Sequence, residues 1–169
     1  MEDNFNRAPS EPGPFQFSLK LLLLLPVVVA IGVFALMNGL FEVVPLVGAI
    51  IVILRGEDRL KAKQSVLVTS LALYLPLLPY VAEANTEELH GMALMPAVLP
   101  MILVDSLAGF QFRGAAVIPV VLMSIYIIGC YVLTSICLYR SSTLCALAAI
   151  IMAIVSGVGF SLLMAIARA

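Results

Sequence analysis

Residues 114–139, GAAVIPVVLMSIYIIGCYVLTSICLY, and residues 141–167, SSTLCALAAIIMAIVSGVGFSLLMAIA, are two stretches without a charged side chain, separated by Arg140. A helix that crosses a membrane needs about 20 consecutive apolar residues, because the hydrocarbon core is about 30 Å thick. Both stretches exceed this length, so each is predicted to form a transmembrane helix that tilts or protrudes.

The composition of the whole chain agrees with a membrane environment. Its 169 residues are 63% hydrophobic and 11% charged, with a mean hydropathy of +1.15. Soluble domains contain about 45–50% apolar and about 25% charged residues. The sequence therefore predicts an all-α fold, a polytopic transmembrane helical bundle, with no separate soluble domain.

Two regions are predicted along the chain. Residues 1–14 are polar, acidic and rich in proline, which predicts a disordered N-terminal tail. Residues 15–169 are predicted to form the transmembrane domain. The start of the chain contains Glu2 and Asp3 where a secretory signal would be basic, so a cleaved signal peptide is not expected.

About six membrane spans are predicted. A single helix over residues 21–54 would be about 50 Å long, so a turn is expected at Asn38-Gly39, a dipeptide typical of turns. Prolines are expected to loosen the end of the third span and to kink or break the fourth. The predicted spans are residues 18–37, 40–54, 64–81, 91–110, 115–139 and 143–167.

The lysine and arginine residues predict the orientation, because short loops rich in these residues tend to stay in the cytoplasm. With six spans, both termini are cytoplasmic, and Arg140 alone of the basic residues faces outwards, together with the acidic loop 82–90. A five-span arrangement, with residues 40–54 or 91–110 re-entrant, would split the basic residues between the two sides. The predicted location is a bacterial inner membrane. The predicted cytoplasmic residues are Arg7, Lys20, Arg55, Arg59, Lys61, Lys63, Arg113 and Arg168.

The last span contains a row of small residues at every fourth position. Small residues let helix backbones approach closely in lipid. The row predicts a packing surface, either within the bundle or against another copy or another subunit. Its central members, proposed as contact residues, are Ala149, Ala153, Gly157 and Ser161; the row also includes Ser141, Cys145, Ala165 and Ala169.

Asp105 is the most unusual ionisable residue, because it lies well inside the fourth span, where charges are costly and often functional. With Pro96 and Pro100 it is a candidate ion or proton site, since the two prolines free backbone carbonyls. Alternatives are an ion pair with Arg113 or Lys20, or simple helix capping and kinking. Glu42 is instead expected in the first turn of the second span, where the helix dipole favours an acid.

A short basic segment follows the second predicted span and contains Arg55, Arg59, Lys61 and Lys63. It is interpreted as a cytoplasmic loop, with contact to anionic lipid head groups as the alternative.

No cofactor, metal or catalytic motif is predicted. Glu87 and His90 have a spacing found in di-iron sites, but the second half of such a site is missing. Cys130, Cys137 and Cys145 form no CxxC pair and are expected to act as small apolar residues. Nothing in the sequence predicts binding to nucleic acid.

Two hypotheses for function follow. The first is a non-enzymatic structural or accessory subunit of a membrane complex, with a protein partner or a second copy bound in the lipid bilayer. The alternative is a small-solute or ion transporter that uses Asp105.

Overall fold

The computed structural model describes residues 26–27, 30, 34, 38–56, 58–81, 92–108 and 117–168. Helix accounts for 90% of these described residues, and none of them is in a strand. The all-α prediction is therefore confirmed for this part of the chain. The helices are α1 (Val43–Arg55), α2 (Arg59–Tyr74), α3 (Leu78–Val81), α4 (Val98–Ala108), α5 (Val117–Arg140) and α6 (Ser142–Ala167), with 3₁₀ turns at Leu75–Leu77 and Met95–Ala97.

Helices α5 and α6 form a long hairpin at the centre of the structure. Only Ser141 separates them, and its amide donates to the carbonyl of Cys137 at 2.8 Å. Helix α2 packs against both members of the hairpin, α1 packs mainly against α5, and α4 packs mainly against α6. The buried side chains between them, among them Leu73, Ile127 and Met152, form one hydrophobic core.

Contacts along α2 show the direction in which it runs. Near its start, the backbone of Asp58 is hydrogen-bonded to the Tyr139 hydroxyl, at the end of α5. Further along, the Ser156 hydroxyl in α6 donates to the Leu73 carbonyl at 2.6 Å. Helices α2 and α6 are therefore parallel, and both run away from the end of the bundle that contains Tyr139. We call this end the basic end; it comprises residues 55–56, 58–63 and 139–141.

The segment Met92–Ala108 stays in the other half of the bundle. The Tyr74 hydroxyl, at the end of α2, donates to the Ala93 carbonyl at 2.9 Å. Leu99 packs against Gly159 in the second half of α6. The described part of the predicted span 91–110 therefore stays in one half of the bundle and gives the predicted crossing no support. The reason is local: Pro96 and Pro100 lack amide hydrogens, and α4 has 11 residues, which span only about 17 Å.

The predicted count of about six spans is not supported. Among the described residues, only α5 and α6 are long and apolar enough to cross a membrane. Helix α1, over the predicted span 40–54, has 13 residues and is about 20 Å long. The 3₁₀ turn at Leu75–Leu77 interrupts the predicted span 64–81. The predicted span 18–37 lies almost wholly outside the described residues. The predicted tail 1–14 lies wholly outside them.

The predicted separation of Arg140 from the other basic residues is also wrong. The Asp58–Tyr139 contact places the α1–α2 loop and the α5–α6 turn at one end of the bundle. Arg168, which directly follows α6, lies at the opposite end. The chain leaves the basic end along α2 and returns to it along α5. The number of bundle crossings between the α1–α2 loop and the α5–α6 turn is therefore even. The six-span arrangement requires an odd number.

The outer surface of the α5–α6 hairpin is apolar. Each helix contains an apolar 18-residue segment long enough to cross a membrane. Only 33% of this segment in α5 and 22% of it in α6 is buried inside the protein. Side chains such as Ile125, Ile150 and Ile154 are exposed instead. The central helix of a soluble protein would bury most of these groups in its own core, so the two helices indicate insertion into a membrane.

The buried polar side chains of the described core are serines and threonines. Ser65, Thr69 and Thr134 donate to carbonyls of their own helices. Ser156 instead bonds to α2 close to the 3₁₀ turn around Pro76, where the regular helical pattern ends. Among the described side chains, no buried nitrogen or oxygen lacks a hydrogen-bond partner. Where no water is present, buried polar groups must find their hydrogen-bond partners within the protein.

Candidate functional site

The basic end brings together side chains from three helices. Arg55 is in the last turn of α1, and Arg140 is the last residue of α5. Arg59, Lys61 and Lys63 occupy the start of α2. All five are exposed. Asp58 is the only acid among the described residues of this end, so the described surface has an excess of positive charge.

A pair of hydrogen bonds clamps the α1–α2 loop to α5. The Asp58 amide donates to the Tyr139 hydroxyl oxygen at 3.3 Å, and this hydroxyl donates to the Asp58 carbonyl at 3.2 Å. The Lys61 ammonium lies 5.6 Å from the centre of the Tyr139 ring, within the range of a cation–π interaction. The basic residues of α2 are therefore fixed relative to Arg140.

Gly56 and Asp58 allow the tight turn between α1 and α2. The Asp58 carboxylate caps α2 by accepting the Leu60 and Lys61 amides at 2.9 and 3.3 Å, the usual role of an acid before a helix. A Cβ atom at Gly56 would lie 2.7 Å from the Ala62 Cβ and 3.1 Å from the Tyr139 hydroxyl. Only glycine allows this close approach.

A groove runs from the basic end between α1 and α5. Its volume is about 280 Å³. Arg55 and Tyr139 stand at its basic end, and four of its eight lining residues are aliphatic, with Ser135 as a polar residue among them. The groove therefore combines a cation at one end with an apolar channel. The lining residues are Ile51, Val52, Arg55, Gly56, Val132, Ser135, Ile136 and Tyr139.

The candidate ion site is not assembled as a single site. Pro96 is fully buried. Pro100 lines an apolar cavity of about 190 Å³ between α4 and α5, together with Val104 and Tyr126. Asp105 is exposed on α4 and does not line this cavity. The arrangement gives the transport hypothesis no support.

The row of small residues changes its surroundings along α6. Cys145 is buried, and Ala149 and Ala153 pack against the core. A Cβ atom at Gly157 would lie 3.4 Å from the Pro76 Cβ, which is ordinary contact. Ser161 is exposed and donates to the Gly157 carbonyl. The first part of the row thus packs within the bundle, and the row then turns outwards, because four residues advance a helix by about 400°.

Glu42 and the Glu87–His90 pair are the remaining candidates. Glu42 lies at the N-cap position of α1, one residue before the predicted first turn, and its side chain does not cap the helix; it lines a cavity of about 230 Å³ with Tyr74 and Leu77. Glu87 and His90 lie outside the described residues. Within the described part of the chain, no three metal-ligating side chains cluster.

Sequence reasoning did not identify Tyr139, Ser135 or Gly56 as parts of a site. Gly56-Glu57-Asp58 does contain a signal, since a glycine followed by a capping acid marks a break between helices. The six-span prediction places Tyr139 at the opposite end of the bundle. Its pairing with Asp58, 81 residues earlier, leaves no local pattern in the sequence.

No protein-family model, curated protein or solved structure matches this chain.

Proposed function

We propose that this chain is a non-enzymatic structural or accessory subunit of a membrane complex in a bacterial inner membrane, with its basic end at the cytoplasmic face. One observation carries the proposal: exposed basic side chains of α1, α2 and α5 lie at one end of the described bundle, where the Tyr139–Asp58 pair joins α5 to the α1–α2 loop. Clustering of positive charge at one end favours a cytoplasmic location for that end.

A fixed basic surface suits docking of an acidic partner. Complementary charge speeds encounter and selects against wrong partners. Because the clamp already orders the loop, less conformational entropy is lost when a partner binds. The exposed apolar sides of α5 and α6 keep the surface at the membrane face. These features support an accessory role and require no chemistry inside the bundle.

The orientation is tested with single cysteines introduced into a variant without native cysteines. We expect Lys61→Cys and Arg140→Cys to react with a membrane-impermeant maleimide only from the cytoplasmic side, and Arg168→Cys only from the other side. The six-span arrangement predicts a different pattern, with positions 61 and 168 on one side and position 140 alone on the other. Labelling of positions 61 and 140 from opposite sides would refute the proposed orientation.

The accessory role is tested by native mass spectrometry of the tagged protein, extracted with its lipid from the native membrane. We expect another subunit in fixed ratio. The double variant Arg59→Glu/Lys63→Glu should reduce its recovery at least about tenfold, since like charges repel an acidic partner. Arg168→Glu, at the opposite end, is the matched control and should leave recovery unchanged. A lone monomer or symmetric homo-oligomer of the unmodified protein would contradict the role.

A further inference from the structure

We propose that the groove between α1 and α5 binds one anionic phospholipid, with its phosphate at Arg55 and an acyl chain along the aliphatic walls. The inference rests on the proposed cytoplasmic orientation of the basic end, but it requires no protein partner. It assigns a ligand of defined chemistry to a part of the surface that the accessory role leaves unused.

The walls of the groove fit a hydrocarbon chain. Val52 is buried at its base, Ile51 and Val132 are half-buried, and Ile136 is exposed at the edge. A soluble anion such as free phosphate would leave these walls unfilled. An acyl chain fills them at little cost, because it moves from one apolar environment to another. The walls therefore determine that the ligand is a lipid, and preference among lipids must come from the head group.

The basic end of the groove fits a phosphate. Arg55 is the lining residue with a charge, and a guanidinium forms paired hydrogen bonds with phosphate oxygens. Gly56 has no side chain to close the opening beside Arg55. Its amide is already bonded to the Val52 carbonyl at 2.9 Å, so the backbone there is fixed.

The surrounding charges favour an anionic over a zwitterionic head group. Arg59, Lys61 and Arg140 belong to the same end of the bundle, and in the sequence of residues 55–63 four bases outnumber two acids, Glu57 and Asp58. The Asp58 carboxylate already accepts two amides of α2. Basic residues near a membrane surface attract anionic lipids. Charge complementarity therefore selects an anionic phospholipid from the cytoplasmic leaflet as the occupant.

The test is a lipid titration of the purified full-length protein in detergent, followed by native mass spectrometry. The probes are dioleoylphosphatidylglycerol and dioleoylphosphatidylcholine. We expect one tightly bound lipid with a preference for phosphatidylglycerol of about tenfold, which corresponds to about 1.4 kcal/mol. Arg55→Gln should reduce this preference severalfold. Arg59→Gln, which removes a charge at the same end but outside the groove lining, should reduce it much less.

A second pair of variants separates the groove from general surface charge. Val132→Phe places a larger side chain in the groove and should weaken binding of either lipid. Leu133→Phe, at the adjacent exposed position outside the groove lining, should have no effect. Comparable thermal unfolding of the two variants in detergent would show that Val132→Phe does not act through misfolding.

Three results would overturn the inference. Equal effects of Arg55→Gln and Arg59→Gln would indicate diffuse attraction rather than a site. Unchanged lipid binding in Val132→Phe would show that no acyl chain occupies the groove. Displacement of the lipid by excess inorganic phosphate would identify a site for free anions. None of these results depends on the partner recovery that tests the accessory role, so the two proposals can fail separately.

Discussion

An aspartate in place of Ile154 is expected to prevent stable membrane insertion of α6. Ile154 lies at the middle of this helix and is 58% exposed, so in a membrane it faces the hydrocarbon core. A charged residue at the centre of a transmembrane helix costs about 2.5–3.5 kcal/mol on insertion scales. In water, an exposed substitution of this kind changes stability by only about 0.5 kcal/mol. The free-energy cost of the substitution is therefore severalfold larger in a membrane than in water.

The measurement is the fraction of protein that resists carbonate extraction from membranes. Thr143→Asp is the matched control, because Thr143 is exposed in the first turn of the same helix, where the interface and the helix dipole tolerate an acid. We expect Thr143→Asp to remain in the membrane and Ile154→Asp to be extracted or degraded. Normal insertion of Ile154→Asp would contradict the membrane assignment of α6.

The Gly159→Ala substitution is expected to cause the largest packing defect. A Cβ atom at this position would lie 2.7 Å from the Leu99 Cβ and 2.9 Å from the Leu99 amide nitrogen. Because backbone atoms cannot move aside as a flexible side chain can, α4 would have to separate from α6. Overpacking of this kind typically costs about 1–3 kcal/mol. We expect a lower midpoint in thermal unfolding measured in detergent.

Two other glycines provide matched controls for this experiment. A Cβ atom at Gly129 in α5 would have no neighbouring atom within 4 Å, so Gly129→Ala should leave the stability unchanged or raise it by up to about 1 kcal/mol through better helix propensity. Gly157→Ala should have a smaller effect than Gly159→Ala, because its Cβ would only touch Pro76 at 3.4 Å. Equal stability of Gly159→Ala and Gly129→Ala would show that α4 does not pack on α6 as described.

The row of small residues shows how far a sequence pattern can identify a packing surface. The pattern indicates Gly157 and its neighbours at four-residue intervals. The closest approach in α6 is instead at Gly159, which lies outside the row. Its importance comes from Leu99, 60 residues earlier in the chain, whose position depends on where the 3₁₀ turn at Met95–Ala97 places α4. Spacing within α6 contains no information about that neighbour.

The turn at Asn38-Gly39 illustrates the opposite case. The dipeptide predicts a chain reversal before α1, and the structure has a turn there with a φ of +73° at Gly39. Glycine adopts this left-handed conformation without the steric cost that a Cβ imposes. Local backbone preference was sufficient for this prediction because no distant contact was involved.

The sequence by itself determined the helical class, the two long apolar helices and the turns, because these depend on hydropathy and backbone preference within short segments. Only the tertiary structure decided which ends meet. Through the Tyr139–Asp58 pair it placed Arg140 at the same end of the bundle as Arg55, Arg59, Lys61 and Lys63, and it kept residues 92–108 in one half of the bundle. The physical reason is that side chains distant in sequence fix these arrangements by packing and hydrogen bonding. The positions of the charged residues in the sequence are compatible with more than one membrane topology.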